Sequence, residues 1–153
     1  MKQLVLRGLR GGIGATSLLA GLGIALHEQG ERVLLIDLSP DNMLRLHFSV
    51  DVAYASGWAR AQLDAAPWHE SALELLPGLH LLPYGELGGA EISQIEGQLC
   101  ADSSCWAQRC DLIGHNYDWV LFDLPQRLPE FAELKRHLDR HALAYARALN
   151  FDL

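Results

Sequence analysis

Runs of apolar residues alternate along this chain with segments of helical period. Leu4 to Arg7, with Leu4-Val5-Leu6 at its centre, reads as a buried strand. Arg32-Val33-Leu34-Leu35-Ile36-Asp37, Leu79 to Pro83 and Trp119-Val120-Leu121-Phe122-Asp123 read the same way. Strands with no polar face belong in a parallel sheet covered on both sides. Between them the pattern predicts a helix from Thr16 to Gln29, closed by Gly30 at the C′ position. Ser39 and Pro40 predict the cap and first residue of a short helix. Short helical patterns follow at Trp58 to Leu63 and Trp68 to Leu76, and a longer one from about Glu91 to about Ile113. In the final segment, Glu130 to Leu149, steps of three and four put Phe131, Leu134, Leu138, Ala142, Tyr145 and Leu149 on one helix face. Strands alternating with helices predict an α/β protein with one open, mainly parallel sheet.

Composition narrows the partners rather than the fold. The chain has 153 residues, half of them hydrophobic, enough for one domain with a core. A net charge of −7 argues against broad nucleic-acid binding. No apolar run approaches the ~18 residues of a membrane span. Met1-Lys2-Gln3 leads directly into the first strand, so no signal peptide is expected and the location should be cytoplasmic. The basic stripe Lys135, Arg136, His137, Arg140 and His141 is interrupted by acidic neighbours, which limits membrane contact to a peripheral one. Cys100, Cys105 and Cys110 fit no metal spacing and read as free thiols.

The chemistry concentrates at Gly8-Leu9-Arg10-Gly11-Gly12-Ile13-Gly14-Ala15-Thr16-Ser17, between the first strand and the first helix. Glycines let the backbone turn sharply and approach an anion. A helix start adds unpaired N–H groups and the positive end of its dipole. Gly11, Gly12 and Gly14 would shape the cradle, Ile13 and Ala15 would supply backbone N–H, and Thr16 and Ser17 would bring hydroxyls. Two apolar strands end in carboxylates, Asp37 and Asp123, where ligands of open α/β sheets sit. Thr16 with Asp37 and Asp123 offers the hard oxygens that Mg²⁺ takes.

Arg10 to Ser17 resembles the deviant Walker A motif of the MinD/ParA ATPases, K-G-G-x-G-K-[ST]-[ST]. Val33 to Asn42 resembles their second strand and switch I, and Tyr117 to Pro125 their switch II strand. A narrower likeness, to the BcsQ (YhjQ) family of bacterial cellulose operons, lies in Asp37-x-x-Pro40-Asp41-Asn42-x-Leu44-Arg45-Leu46-x-Phe48 and in Gly57-Trp58-Ala59-Arg60-Ala61 with Leu63-Asp64. It covers roughly residues 1–127, leaving 128–153 as a divergent amphipathic tail. The resemblance implies a single three-layer P-loop NTPase domain, truncated by about a hundred residues at its C-terminal side. It implies ATP and Mg²⁺ as cofactors and a homodimer with nucleotide at the interface. It also implies BcsR-like and cellulose synthase partners, and a cytoplasmic place at the cell pole or against the inner membrane.

Departures from the family pattern bear on hydrolysis. Ala15 stands where a P-loop lysine reaches the β- and γ-phosphates. Arg10 replaces the signature lysine that reaches across the dimer, and keeps its charge. Ser39 stands at the hydrolytic aspartate, leaving Asp41 as the nearest carboxylate for that role. These changes predict binding with slow or absent hydrolysis. Two alternatives belong to other classes. One is a degenerate scaffold that binds nothing. The other is an NAD(P)-dependent short-chain dehydrogenase, whose loop Gly8-x-x-x-Gly12-Ile13-Gly14 fits but whose Tyr-x-x-x-Lys has no counterpart, since Lys2 and Lys135 are the only lysines.

Overall fold

The structure is a computed structural model that describes residues 1–8, 12–102 and 104–125. Arg10, Gly11 and the amphipathic helix expected at Glu130 to Leu149 lie outside the described residues.

Among the described residues five strands form one sheet in the order β1-β5-β2-β4-β3: β1 (Lys2–Arg7), β2 (Val33–Asp37), β3 (Leu73–Leu76), β4 (Leu79–Leu82) and β5 (Trp119–Leu124). Pairings β1–β5, β5–β2 and β2–β4 are parallel, and β3–β4 is antiparallel. The fully apolar runs occupy the middle, where Val33 to Asp37 are all buried. β1 stands at an edge of the described sheet, and its Leu4, Val5 and Leu6 are only half-buried.

Side chains alternate across the sheet, so each strand feeds two cores. Val33, Leu35, Leu81 and Leu121 meet Leu19 and Ala20 of α1 (Ala15–Glu28) and Leu44 from a 3₁₀ turn at Leu44–Phe48. Leu34, Ile36, Val120 and Phe122 meet the second helical layer, built of α2 (Trp58–Leu63), α3 (Gly89–Ala101) and α4 (Cys105–Ile113). Helices on both faces of a mainly parallel sheet give the three layers expected.

Three expectations change. Trp68 to Leu76 is a 3₁₀ turn, Trp68–Ser71, followed by strand β3, which pairs with β4 across a turn where Gly78 takes φ +88°. The single helix from Glu91 to Ile113 is two, because the Asp102 carboxylate accepts the Ser104 N–H and O–H and starts a new helix. Ser39 caps no helix at Pro40. Its carbonyl accepts the Asn42 N–H in a turn, and helical structure begins at Leu44.

Candidate functional site

Register brings the acid-terminated strands together. Leu6 lies opposite Asp123, and Asp123 opposite Asp37, so the carboxyl ends of β1, β5 and β2 meet at one tip of the sheet. A cleft of about 310 Å³ opens there. Among the described residues its walls include Gly12, Ile13, Gly14, Ala15, Thr16, Ser39, Asp41 and Asp123. The glycine loop, the loop after β2 and the end of β5 therefore converge as their spacing predicts.

Backbone geometry at the loop depends on glycine. Gly12 has φ +75° and Gly14 φ +80°, and a side chain at either would meet open space, so conformation alone demands glycine there. Gly14 is the N-cap of α1. Among the described residues no side chain caps this helix, and its first turn carries no acidic residue. The N–H groups of the first turn have no acceptor within the helix, which leaves a positive, donor-rich surface facing the cleft. Ala15 is the first helical residue and lines the cleft with no more than a methyl group. Ser17, two residues on, is exposed and does not line the cleft.

The two strand-end carboxylates do different work. Asp37 is fully buried. Its Oδ1 accepts the Ser39 N–H at 2.9 Å and its Oδ2 the Leu44 N–H at 3.1 Å. Burial pushes its carboxyl up to about 7, and nearby Asp123 adds to the rise, while the two N–H donors and Arg45 pull it back. Both oxygens are used by the chain's own loop, and Asp37 does not line the cleft. Asp37 thus shapes the segment that carries Ser39 and Asp41. Asp123 does line the cleft. Burial raises its carboxyl above the usual range, and the Thr16 hydroxyl, donating to it, and His47 both pull it back. Thr16 and Asp123 form a hydroxyl–carboxylate pair at the start of α1, a donor set that fits Mg²⁺. Among the described residues no three His, Cys, Asp or Glu side chains gather as a metal cage, so a cation there would rest on this pair and on its accompanying ligand.

The loop after β2 is held firmly from behind. Asn42, at φ +50°, accepts the Tyr84 N–H on Oδ1 at 3.1 Å. Arg45 is buried and donates to the carbonyls of Val52 and Tyr54 and to Glu86. The Trp58 indole N–H donates to the Asp37 carbonyl at 2.7 Å. On that support Ser39 and exposed Asp41 face the cleft, and the Ser39 hydroxyl accepts the Asp41 N–H at 3.4 Å. Sequence reasoning missed Met43 and His47, which also line the cleft from this segment. Nothing in their spacing sets them apart; only the 3₁₀ turn brings them round.

Comparison with known proteins places this geometry. The family described as "Cellulose biosynthesis protein BcsQ" matches residues 1–148. The cellulose biosynthesis protein BcsQ of Salmonella typhimurium is 38% identical over 156 aligned positions, covering 96% of this chain and 59% of that protein. The chain therefore spans well under two thirds of the length of such relatives. The chromosome partitioning protein ParA of Caulobacter vibrioides is 32% identical, over 84% of this chain and 49% of its own length. Among solved structures, cobyrinic acid a,c-diamide synthase from Mycobacterium smegmatis, with bound ATP analog and magnesium, superposes at TM-score 0.72 with 23% identity, covering 87% of this chain and 55% of its own. The ATP complex of a Cyanothece McdA variant does so at 0.72 and 22%, covering 90% and 53%. At such identities the two structures speak for the fold.

Proposed function

The chain belongs to the family of the cellulose biosynthesis protein BcsQ, and from that premise we propose that it binds ATP with Mg²⁺ in the cleft at the sheet tip and serves cellulose production as an accessory factor with slow or absent hydrolysis. The reading rests on one observation: a helix start with no side-chain cap, entered through two left-handed glycines, opens beside the Thr16–Asp123 pair. That is the arrangement which cradles polyphosphate. Backbone N–H groups around Gly12 to Thr16 would hold the phosphates. Thr16 and Asp123 would hold the cation, which screens phosphate charge when bound, and Asp37 would set the loop that faces it. Gly11, Ser17 and Arg10 complete the assignment from sequence, with Arg10 as the cross-dimer phosphate contact.

Slow turnover follows from what faces the cleft. Ala15 brings no cation to the phosphates, and Ser39 brings a hydroxyl already bonded to the Asp41 N–H. Asp41 is the carboxylate left to orient water, and it stands on the exposed rim. Loss of a positioned group typically costs ~10²-fold or more in rate. Exposed Ile13 and Met43 at the cleft suit a second copy closing over the nucleotide, the homodimer expected from the family. Cellulose synthase components and a BcsR-like protein are the partners this reading carries, with a peripheral place at the membrane or the pole. Among the described residues no helix is long and apolar enough to cross a membrane.

The dehydrogenase alternative loses support from topology. A dinucleotide-binding sheet sets its first two strands side by side, whereas β5 separates β1 from β2 here. Titration calorimetry with ATP, ADP and NADH, with and without Mg²⁺, tests the proposal. Magnesium-dependent ATP binding that disappears in Gly12→Asp is the expected result. NADH binding, or silence toward all three, would overturn it. Turnover at ordinary enzyme rates that vanishes in the same variant would overturn the slow-hydrolysis part alone.

A further inference from the structure

We propose that His47 contacts the terminal phosphate of the nucleotide and lets this site tell ATP from ADP, an inference that rests on the nucleotide reading above. His47 lies in the 3₁₀ turn Leu44–Phe48 and lines the same cleft as Gly14, Thr16 and Asp123. Its side chain is exposed, yet the backbone after it is tied back, the Ser49 and Val50 N–H groups donating to the Leu46 and Arg45 carbonyls. Leu44 is bonded to Asp37, and buried Arg45 grips two carbonyls and Glu86. A ligand-facing group on so rigid a mount loses little freedom when it binds.

Position along the cleft identifies the phosphate. In P-loop sites a loop hydroxyl and a strand-end aspartate serve the magnesium ion that neutralises the terminal phosphates. Thr16 and Asp123 would be that pair here, so their end of the cleft would be the terminal-phosphate end. His47 and Asp123 line one cleft with Gly14 and Thr16. Charge completes the case. Among the described residues lining the cleft, Asp41 and Asp123 carry negative charge and His47 alone can carry positive charge. Ala15 leaves the usual cation missing from the helix start. An imidazole donates an N–H to a phosphate oxygen whether neutral or protonated, so the contact does not hinge on its charge state. A diphosphate would lack the group that His47 contacts.

Calorimetric dissociation constants for MgATP and MgADP test this in the whole chain and in His47→Ala and His47→Gln. The wild type should prefer ATP. The alanine variant should lose ATP affinity by about tenfold, the scale of one hydrogen bond to a charged group, with ADP affinity unchanged. Glutamine, which keeps an N–H donor, should recover most of the loss. Unchanged ADP binding also shows that the variants fold. If alanine weakens both nucleotides alike, or neither, the inference is overturned while the nucleotide reading stands. A wild type that holds ATP and ADP equally also overturns it. A wild type that binds neither nucleotide overturns both.

Discussion

The tryptophan-lined core behind the sheet and the glycine loop at its tip hold their atoms in opposite ways. Behind the sheet, rings pack tightly against one another, although among the described residues the Trp106 indole N–H and the Arg109 Nη1 are buried with no hydrogen-bond partner. Trp58 is fully buried, its N–H is spent on Asp37, and the rings of Tyr84 and Trp106 meet it edge-on at 5.0 Å. The Arg109 guanidinium lies over the indoles of Trp58, Trp68 and Trp106, at 4.7 Å from the last. Gly57 is pressed so close to Tyr84 and Gly85 that an added Cβ would overlap their backbone. At the tip, Gly12 and Gly14 have nothing within 4 Å of where a Cβ would stand, Ile13 is 48% exposed, and the helix start is uncapped. Glycine occurs in both regions for contrary reasons, crowding in one and backbone handedness in the other. A region packed this closely specifies shape; one whose donors stand open at a cleft is where a ligand can be received.

Substitutions can break or sharpen that contrast. The largest effect belongs to Gly57→Ala, because backbone cannot swing aside as a side chain can. A loss of roughly 4 kcal/mol or more is expected in urea unfolding, in the tail reserved for such overlaps. Wild-type stability would mean the segment at Gly85 moves freely, and the contrast would collapse. Trp58→Phe keeps an aromatic ring but strands the Asp37 carbonyl without its donor. About 1–3 kcal/mol should be lost, with the urea midpoint falling and the denaturant slope unchanged. Gly14→Ala should cost about 1–2 kcal/mol from its left-handed φ alone, while MgATP affinity falls more than tenfold. Melting temperature and calorimetry on one sample separate those two numbers, and a variant that binds normally would deny the loop its role.

The smallest effect lies outside both regions. Asp118 accepts three N–H bonds from Arg32 at the far end of β2 and β5, and that guanidinium holds its carboxyl down to about 2. A carboxyl depressed in the folded state adds stability above the unfolded value near 4. That stability is lost as pH falls from there toward 2. Acid unfolding followed by circular dichroism should show a shallower descent over that window in Asp118→Asn, from a neutral-pH stability that is lower by the same small amount.

Four of the five strands were legible because each is a continuous apolar run, and burial on both faces permits little else. β3 was not. Trp68, Ala72 and Leu76 recur at helical steps, yet the hairpin turn at Gly78 lets Leu73 and Leu76 pair with β4, and tertiary pairing overrides a local period. At the site, the glycine loop, Thr16 and Asp123 were legible from motif and strand end alone. The inward turn of Asp37 was not, since a strand-terminal aspartate has the same sequence whether it faces a ligand or its own loop. His47 and Met43 carry no motif, and their place in the cleft depends on where Arg45 and Asp37 pin the turn between them.

One consequence of the strand order concerns synthesis rather than binding. β5 fills the gap between β1 and β2 although it is the last of the three to be made, so Leu4 and Leu35 are joined only through Leu121. For about ten seconds of translation, β2 leaves the ribosome with one flank unmated. The sheet closes only when Trp119 comes to lie beside both Lys2 and Val33. Such distant pairings fold slowly. The nascent chain should therefore be a customer for chaperones until β5 arrives.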